Sequence, residues 1–101
     1  MAQPHYVLET TILQKTVLQK TARHPKCRWQ FTKHSLEEME ADNVTAPDIK
    51  HALMNGQVAL EETAKRDILW RVVGNDLDGH RIQVVVAVFE QIIKIKVITT
   101  F

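Results

Sequence analysis

"HRIQVVVAVFE" (residues 80–90) and "IIKIKVITTF" (92–101) are rich in β-branched residues, are joined by the turn Glu90-Gln91, and decide the fold. Apolar runs of this kind that end at polar residues are typical of β-strands, and the short turn favours antiparallel pairing. Apolar residues alternate with lysines in the second segment. This alternation predicts an antiparallel sheet that helices cover on one face only. The predicted core-facing row is Ile93, Ile95, Val97 and Thr99, and the open row is Lys94 and Lys96.

Two more strands and their connections precede this pair: "QVALEE" (57–62), a turn at "AKRD" (64–67), "ILWRVVG" (68–74) and a hairpin turn at "NDLDG" (75–79). If Trp70 and Val72 face the core, alternation directs Arg71 to the open face, beside the lysines of the last strand. Arg81 and Gln83 share one face of their own strand and could join the same surface. A solvated strand face produces the same alternation without any function.

Helices alternate with a strand in the first half of the chain. The predicted elements are a strand at "CRWQF" (27–31), a helix capped by Ser35 with Glu38, and a helix capped by Thr45 with Asp48 that ends at Asn55-Gly56. The fold class is therefore α+β. Residues 26–101 are predicted to form a single β-α-α-β-β-β domain.

Residues 1–25 are predicted to be a helical extension of that domain. Leu8, Ile12 and Leu18 fall on roughly one helical face, and "RHPK" (23–26) stops the helix because Pro25 disfavours helical backbone before it. So narrow an apolar stripe does not stabilise an isolated helix. We expect the extension to pack on the domain or to join two copies in a homodimer.

Composition limits the possible classes of protein. A chain of 101 residues with 45% hydrophobic residues has the length of one domain, and no stretch is long and apolar enough for a membrane span. The first residues lack the pattern of a secretory signal, so we predict a cytoplasmic protein without membrane partners. Cys27 is the single cysteine, which excludes an intrachain disulfide.

Charge is distributed unevenly along the sequence. Residues 1–34 contain six lysines and arginines against one acid, whereas residues 35–67 contain eight acids against three bases. A chain polarised in this way can present a basic surface to phosphates although its net charge is only +1. Charged helix surfaces that serve solubility alone give the same counts.

His34 is the candidate for proton transfer. It precedes the predicted Ser35 cap, where it could pack against Met39 as a hydrophobic staple. Alternatively, an imidazole at a helix N-terminus, which attracts anions, could transfer a proton beside a bound phosphate. Together with Arg71 it would supply what cleavage of RNA through the 2′-hydroxyl requires without a metal.

Several other chemistries have no support in the sequence. The histidines lack metal-ligand spacing, and "DLDG" (76–79) begins like a calcium loop but lacks the later ligands. No glycine-rich phosphate loop and no GxSxG motif occurs. We therefore predict neither a metal nor another cofactor.

The segment "FTKHSLEEMEADNVTAPDIKHALMNGQVALEE", followed by "WRVVG", "DGHRIQVVVAV" and "IKVITTF", resembles a family of small bacterial domains, domain of unknown function 4258. The resemblance runs from about Cys27 to the last residue. It implies distant kinship with RelE-like and barnase-like endoribonucleases, many of which are toxins. It points to His34, Arg71 and Thr99 as site residues.

Three hypotheses follow. The first is a toxin-like, metal-independent endoribonuclease that binds RNA on the open sheet face. The second is a non-catalytic module of the same fold that binds a protein, such as a cognate antitoxin-like partner, or serves as an adaptor. The third is a domain that keeps the fold and has lost activity. The residues predicted to bind RNA are Arg81, Gln83, Lys94 and Lys96.

Overall fold

A computed structural model describes residues 4–64 and 67–101, with side chains from residue 13 onward except those of residues 63–66. Its elements, in chain order, are α1 (Pro4–Arg23), β1 (Arg28–Phe31), α2 (Lys33–Ala41), α3 (Ala46–Asn55), β2 (Gln57–Ala64), β3 (Asp67–Asn75), β4 (Arg81–Phe89), a 3₁₀ turn (Glu90–Ile92) and β5 (Lys94–Thr100). This order confirms the predicted α+β fold. The predicted turn at 64–67 includes residues 65 and 66, which lie outside the described part.

The five strands form one mixed sheet in the order β1-β5-β4-β3-β2. The pairs β2–β3, β3–β4 and β4–β5 are antiparallel, as predicted. In contrast, β1 pairs parallel with β5. The prediction of a purely antiparallel sheet was therefore wrong. Hairpin turns fix the directions of β2 to β5, whereas two helices separate β1 from β2, so local sequence carries no signal for the direction of β1.

The core lies between the helices and one face of the sheet. Leu18 of α1 and Ile49 and Leu53 of α3 are fully buried there. The buried sheet residues that share this cluster are Val58, Val72, Ile82, Val84, Val86, Ile95 and Val97. The described buried hydrophobic residues of the helices all belong to this cluster, and we call the opposite side of the sheet the open face.

Gly74 lets α3 approach β3 closely. A Cβ atom at this position would lie 2.2 Å from the carbonyl oxygen of Ala52, which is closer than atoms can pack. Ala52 itself is fully buried in α3. Glycine is therefore required here by the helix–sheet contact and not by the chemistry of a site.

A β-bulge changes the face to which Thr99 belongs. Val86 pairs with Val97 but Val85 pairs with Thr99, so Ile98 is skipped in the register. Directly paired residues share a face, which places Thr99 on the open face with Val85, Lys94 and Lys96. The prediction that Thr99 lines the core was wrong, because simple alternation cannot detect the extra residue. Thr100 takes the inward position and is 2% exposed.

Helix α1 contributes to the same core as the sheet. Leu18 and Ala22 are buried, and α1 contacts α3 and β2. The side chains of Leu8 and Ile12 lie outside the described part of the structure. The domain boundary at residue 25 and the homodimer remain predictions.

Replacing Leu18 with alanine is expected to lower the free energy of unfolding by about 2–5 kcal/mol, because it leaves a cavity in the core. Leu13→Ala, on the same helix, is the matched control, since Leu13 is 68% exposed. Urea unfolding at neutral pH measures both. Equal stability of the two variants would show that α1 does not belong to the folding unit.

Candidate active site

Helix α2 begins as soon as β1 ends. Thr32 is the N-cap: its backbone N–H donates to the Val97 carbonyl (3.0 Å) and its hydroxyl accepts from the Ser35 N–H (3.1 Å). The same hydroxyl donates to the carbonyl of Ile98 (2.8 Å), beyond the last residue pair of β1 and β5. The predicted Ser35 cap was wrong because Thr32, already held extended by β5, precedes it. Ser35 is buried and donates to the Thr32 carbonyl (2.8 Å).

His34 is thus the second residue of α2 and not the residue before its cap. It does not occupy the staple position, and its side chain is 69% exposed. Its Nε2 lies 3.3 Å from Oε1 of Glu38, four residues later on the same helical face. We call these two residues the His34–Glu38 pair.

The carboxylate of Glu38 is fixed by β5. Its Oε1 accepts hydrogen bonds from the Thr99 hydroxyl and from the Thr100 backbone N–H (3.1 Å). The Thr99 hydroxyl is the main cause that lowers the pKa of Glu38. Burial is the next largest effect and raises the pKa, while the Thr100 N–H and His34 make smaller contributions that lower it. Glu38 is therefore a carboxylate near neutral pH.

The Glu38 carboxylate selects the tautomer of the neutral His34 imidazole. A neutral His34 donates to Glu38 only when Nε2 carries the proton, which leaves Nδ1 free to accept one. The carboxylate also stabilises the imidazolium that forms when Nδ1 gains a proton. A histidine and a carboxylate in this arrangement can act as a general base and its orienting partner.

Arg71 lies on the open face in the same row as Thr99. Val85 separates them, pairing with Arg71 on one side and Thr99 on the other. Two strand spacings put their Cα atoms about 10 Å apart. The structure therefore joins His34 to Thr99 through Glu38, and it places Arg71 across one intervening strand.

The guanidinium of Arg71 has weak protein partners. Its Nη2 is 3.5 Å from Oε1 of Glu62, and both side chains of this pair are partly exposed. Its Cζ lies 5.1 Å from the ring centroid of Phe101. Its buried Nε has no hydrogen-bond partner among the described residues. An exposed pair of this kind contributes little stability, so an anionic ligand could compete with Glu62.

The open face is basic. The open face also carries the predicted RNA-binding residues Arg81, Gln83, Lys94 and Lys96. Arg81 and Gln83 lie on the same face of β4 as Val85, and the two lysines pair with Ala87 and Phe89 of that same row. Among the described strand residues the cations of this face are Arg28, Arg71, Arg81, Lys94 and Lys96. The acids are Glu62 and Asp67, both on the β2–β3 side of the sheet.

One group of described side chains has the spacing of metal ligands. Ligand atoms of Asp76, Asp78 and His80 lie within 4.8 Å of one another in the β3–β4 connection. Asp76 Oδ1 already accepts from the N–H groups of Asp78 (3.0 Å) and His80 (2.8 Å), which closes the turn. The predicted hairpin is confirmed, and this cluster lies apart from the His34–Glu38 pair in the chain.

Glu38 was not predicted as a site residue from the sequence, because it was interpreted as part of a capping box with Ser35. The available signal was the i,i+4 spacing of His34 and Glu38, which places both on one side of any helix that includes them. Its contacts with Thr99 and Thr100 join residues that are 61 and 62 positions apart. No local pattern indicates such contacts.

These residues belong to a small α+β domain with one basic, uncovered sheet face. Residues 31–101 match the model of the family described as Domain of unknown function (DUF4258), and the chain belongs to that family. The resemblance noted in the sequence is thereby confirmed. No curated protein and no solved structure matches the chain significantly. Within the described residues, no helix is both long and apolar enough to cross a membrane.

Acidification should weaken the hydrogen bonds by which Glu38 joins α2 to β5. A folded-state pKa below the ordinary glutamate value of 4.5 means that Glu38 stabilises the fold above that pH, and that this stabilisation is lost as the pH falls through the lowered pKa. We expect Glu38→Gln to lower the free energy of unfolding by about 1–3 kcal/mol at neutral pH. The difference from the parent should shrink as the pH falls below 4.5.

Urea unfolding across this pH range measures the difference. Glu37→Gln is the control, because Glu37 is its exposed neighbour on the same helix. A difference between parent and Glu38→Gln that is independent of pH would contradict the assigned contacts of Glu38.

Proposed function

We propose that this protein is a metal-independent endoribonuclease that binds RNA on the open face of its sheet. The observation that carries the proposal is the position of the His34–Glu38 pair beside Thr99, at the border of a basic face. Phosphate groups supply the negative charge that such a face attracts, and a histidine is the side chain best suited to proton transfer near neutral pH. We also propose that the protein acts in the cytoplasm, where RNA substrates are present.

The proposed reaction uses the 2′-hydroxyl of the RNA as the nucleophile. His34 Nδ1 accepts its proton as the 2′-oxygen bonds to phosphorus, while Glu38 stabilises the resulting imidazolium. The bond from phosphorus to the 5′-oxygen breaks, and that oxygen takes a proton from water; the hydroxide left behind removes the proton from His34, which restores the neutral imidazole. The products are a 2′,3′-cyclic phosphate and a free 5′-hydroxyl. No metal or organic cofactor takes part.

Arg71 is proposed to stabilise the charge that develops on phosphorus. It is on the open face, it is only weakly engaged by Glu62, and its side chain is long enough to span part of the distance of about 10 Å between its Cα atom and that of Thr99. A guanidinium can contact two non-bridging oxygens at once. Thr99 is proposed to act as a positioning residue through its hydrogen bond to Glu38.

His34→Ala is expected to reduce cleavage of a labelled RNA by about 100-fold to 10,000-fold while the protein stays folded and still binds RNA. Arg71→Ala should weaken both binding and cleavage. His24→Ala is the matched histidine control, because His24 follows the last residue of α1 and its Nδ1 accepts only a local N–H among the described contacts. Melting temperature and fluorescence anisotropy are measured in parallel with cleavage.

The same assay separates chemistry from binding when the RNA carries 2′-O-methyl groups. That RNA should bind as tightly as the unmodified RNA and remain uncut, since it lacks the nucleophile. Cleavage of the modified RNA, or undiminished cleavage by folded His34→Ala, would reject the proposed mechanism.

Chelation is expected to leave cleavage unchanged, because every proposed step uses side chains or water. The measurement is the initial rate of RNA cleavage before and after treatment with EDTA. Asp76→Asn tests the one candidate ligand cluster of the described residues independently. Loss of activity with EDTA and its recovery with magnesium or zinc would overturn the proposal.

A second candidate function is supported by the outer edge of β2. This strand ends the sheet, so its outward backbone groups are paired with no described strand. Such an edge can accept a strand from another protein, as expected for an antitoxin-like partner. Growth arrest on overproduction that persists with a folded His34→Ala variant would favour this protein-binding function over catalysis.

A further inference from the structure

Two aromatic rings lie on the open face at opposite ends of the proposed RNA surface. Phe89 pairs with Lys94, and Phe101 exchanges backbone hydrogen bonds with Gln83 (2.8 and 2.7 Å). Phe101 is 52% exposed. The remaining described aromatic side chains, Trp29, Phe31 and Trp70, pack against the core on the helix side.

Each of these rings is accompanied by a cation. Lys94 Nζ is 5.5 Å from the ring centroid of Phe89, and Arg71 Cζ is 5.1 Å from that of Phe101. A ring beside a cation offers a nucleic acid a stacking surface for a base and a partner for the adjacent phosphate. Two such units occur on a face whose charge already suits a polyanion.

The rings are separated by the length of a short oligonucleotide. Gln83, opposite Phe101, and Phe89 are six residues apart on β4, which corresponds to about 20 Å of strand. Lys96 and Thr99 lie between the two ends on β5, and Thr99 is only two residues from Phe101. A strand of RNA that reaches both rings therefore passes the His34–Glu38 pair next to Phe101.

We propose that the open face binds single-stranded RNA along β5, with one base stacked on Phe101 and another on Phe89. This inference rests on the proposed function and names the form of its substrate. In a duplex the base faces are stacked on one another, so the rings would have nothing to bind. An unpaired strand exposes base faces, and stacking on aromatic side chains is the usual mode of its recognition. Cleavage falls beside the base on Phe101.

The test measures binding of a short labelled 2′-O-methyl RNA, which is not cut, as a single strand and as a duplex. The parent should bind the single strand more tightly than the duplex. Phe101→Ala and Phe89→Ala should each weaken single-strand binding by about 5-fold to 150-fold, the range that corresponds to loss of one stacked base. Phe101→Trp retains a stacking ring and should bind like the parent.

Three control variants separate stacking from loss of structure or charge. Leu13→Ala removes an apolar side chain that is 68% exposed on α1, away from the open face, and should leave binding unchanged. Phe101→Leu keeps apolar bulk without a ring and should bind as weakly as Phe101→Ala. Lys96→Ala should reduce the dependence of binding on salt, which the phenylalanine variants should leave unaltered.

The outcomes distinguish this inference from the proposed function. Parent-like binding by the folded Phe101→Ala and Phe89→Ala variants, or equal binding of duplex and single strand, would overturn the stacking inference while leaving RNA cleavage possible. Binding of neither RNA form by the parent would overturn both. Stacking-dependent binding without cleavage of unmodified RNA would support this inference and reject catalysis.

Discussion

The contact between Glu38 and the edge of β5 is the constraint on which the arrangement of the site depends. β1 is only four residues long and leaves the end of β5 without a neighbouring strand on that side. Helix α2 replaces the missing strand: the Thr32 hydroxyl satisfies the carbonyl of Ile98, and Glu38 satisfies the N–H of Thr100. Side chains thus supply the hydrogen-bond partners that the backbone groups at this sheet edge require. The same bonds hold His34 at the border of the open face.

Much of the fold could be predicted because strands and caps leave local signals. The alternation of Lys94 and Lys96 with buried neighbours indicated the two faces of the sheet, and Thr45 with Asp48 forms the predicted capping box. The failures have a common physical origin. The direction of β1 and the skipped residue Ile98 are settled by pairing between distant segments. Alternation within one strand contains no information about either.

The candidate site was predictable in part for the same reason. Arg71 and the two lysines were assigned to the open face by alternation, and the register agrees. His34 was chosen for its chemistry, but its partner was not recognised, because the contacts that make Glu38 distinctive come from β5. A side chain that appears to be explained by one local motif can therefore conceal a tertiary role. With Ser35 as the predicted cap, Glu38 was interpreted as the second member of a capping box. With Thr32 as the observed N-cap, Glu38 has no capping role and instead contacts β5.

The parallel pairing of β1 with β5 has a consequence for biosynthesis. Thr32 and Ile98 are 66 residues apart, and Glu38 and Thr99 are 61 apart, so these contacts close only after nearly the whole domain has been translated. Closing such long loops is entropically costly and occurs late unless other contacts have already brought the ends together. Until β5 leaves the ribosome, Glu38 has no strand to hold it and His34 has no fixed orientation. A nascent chain therefore carries the residues proposed for proton transfer in an unassembled state until Thr100 has been added and released.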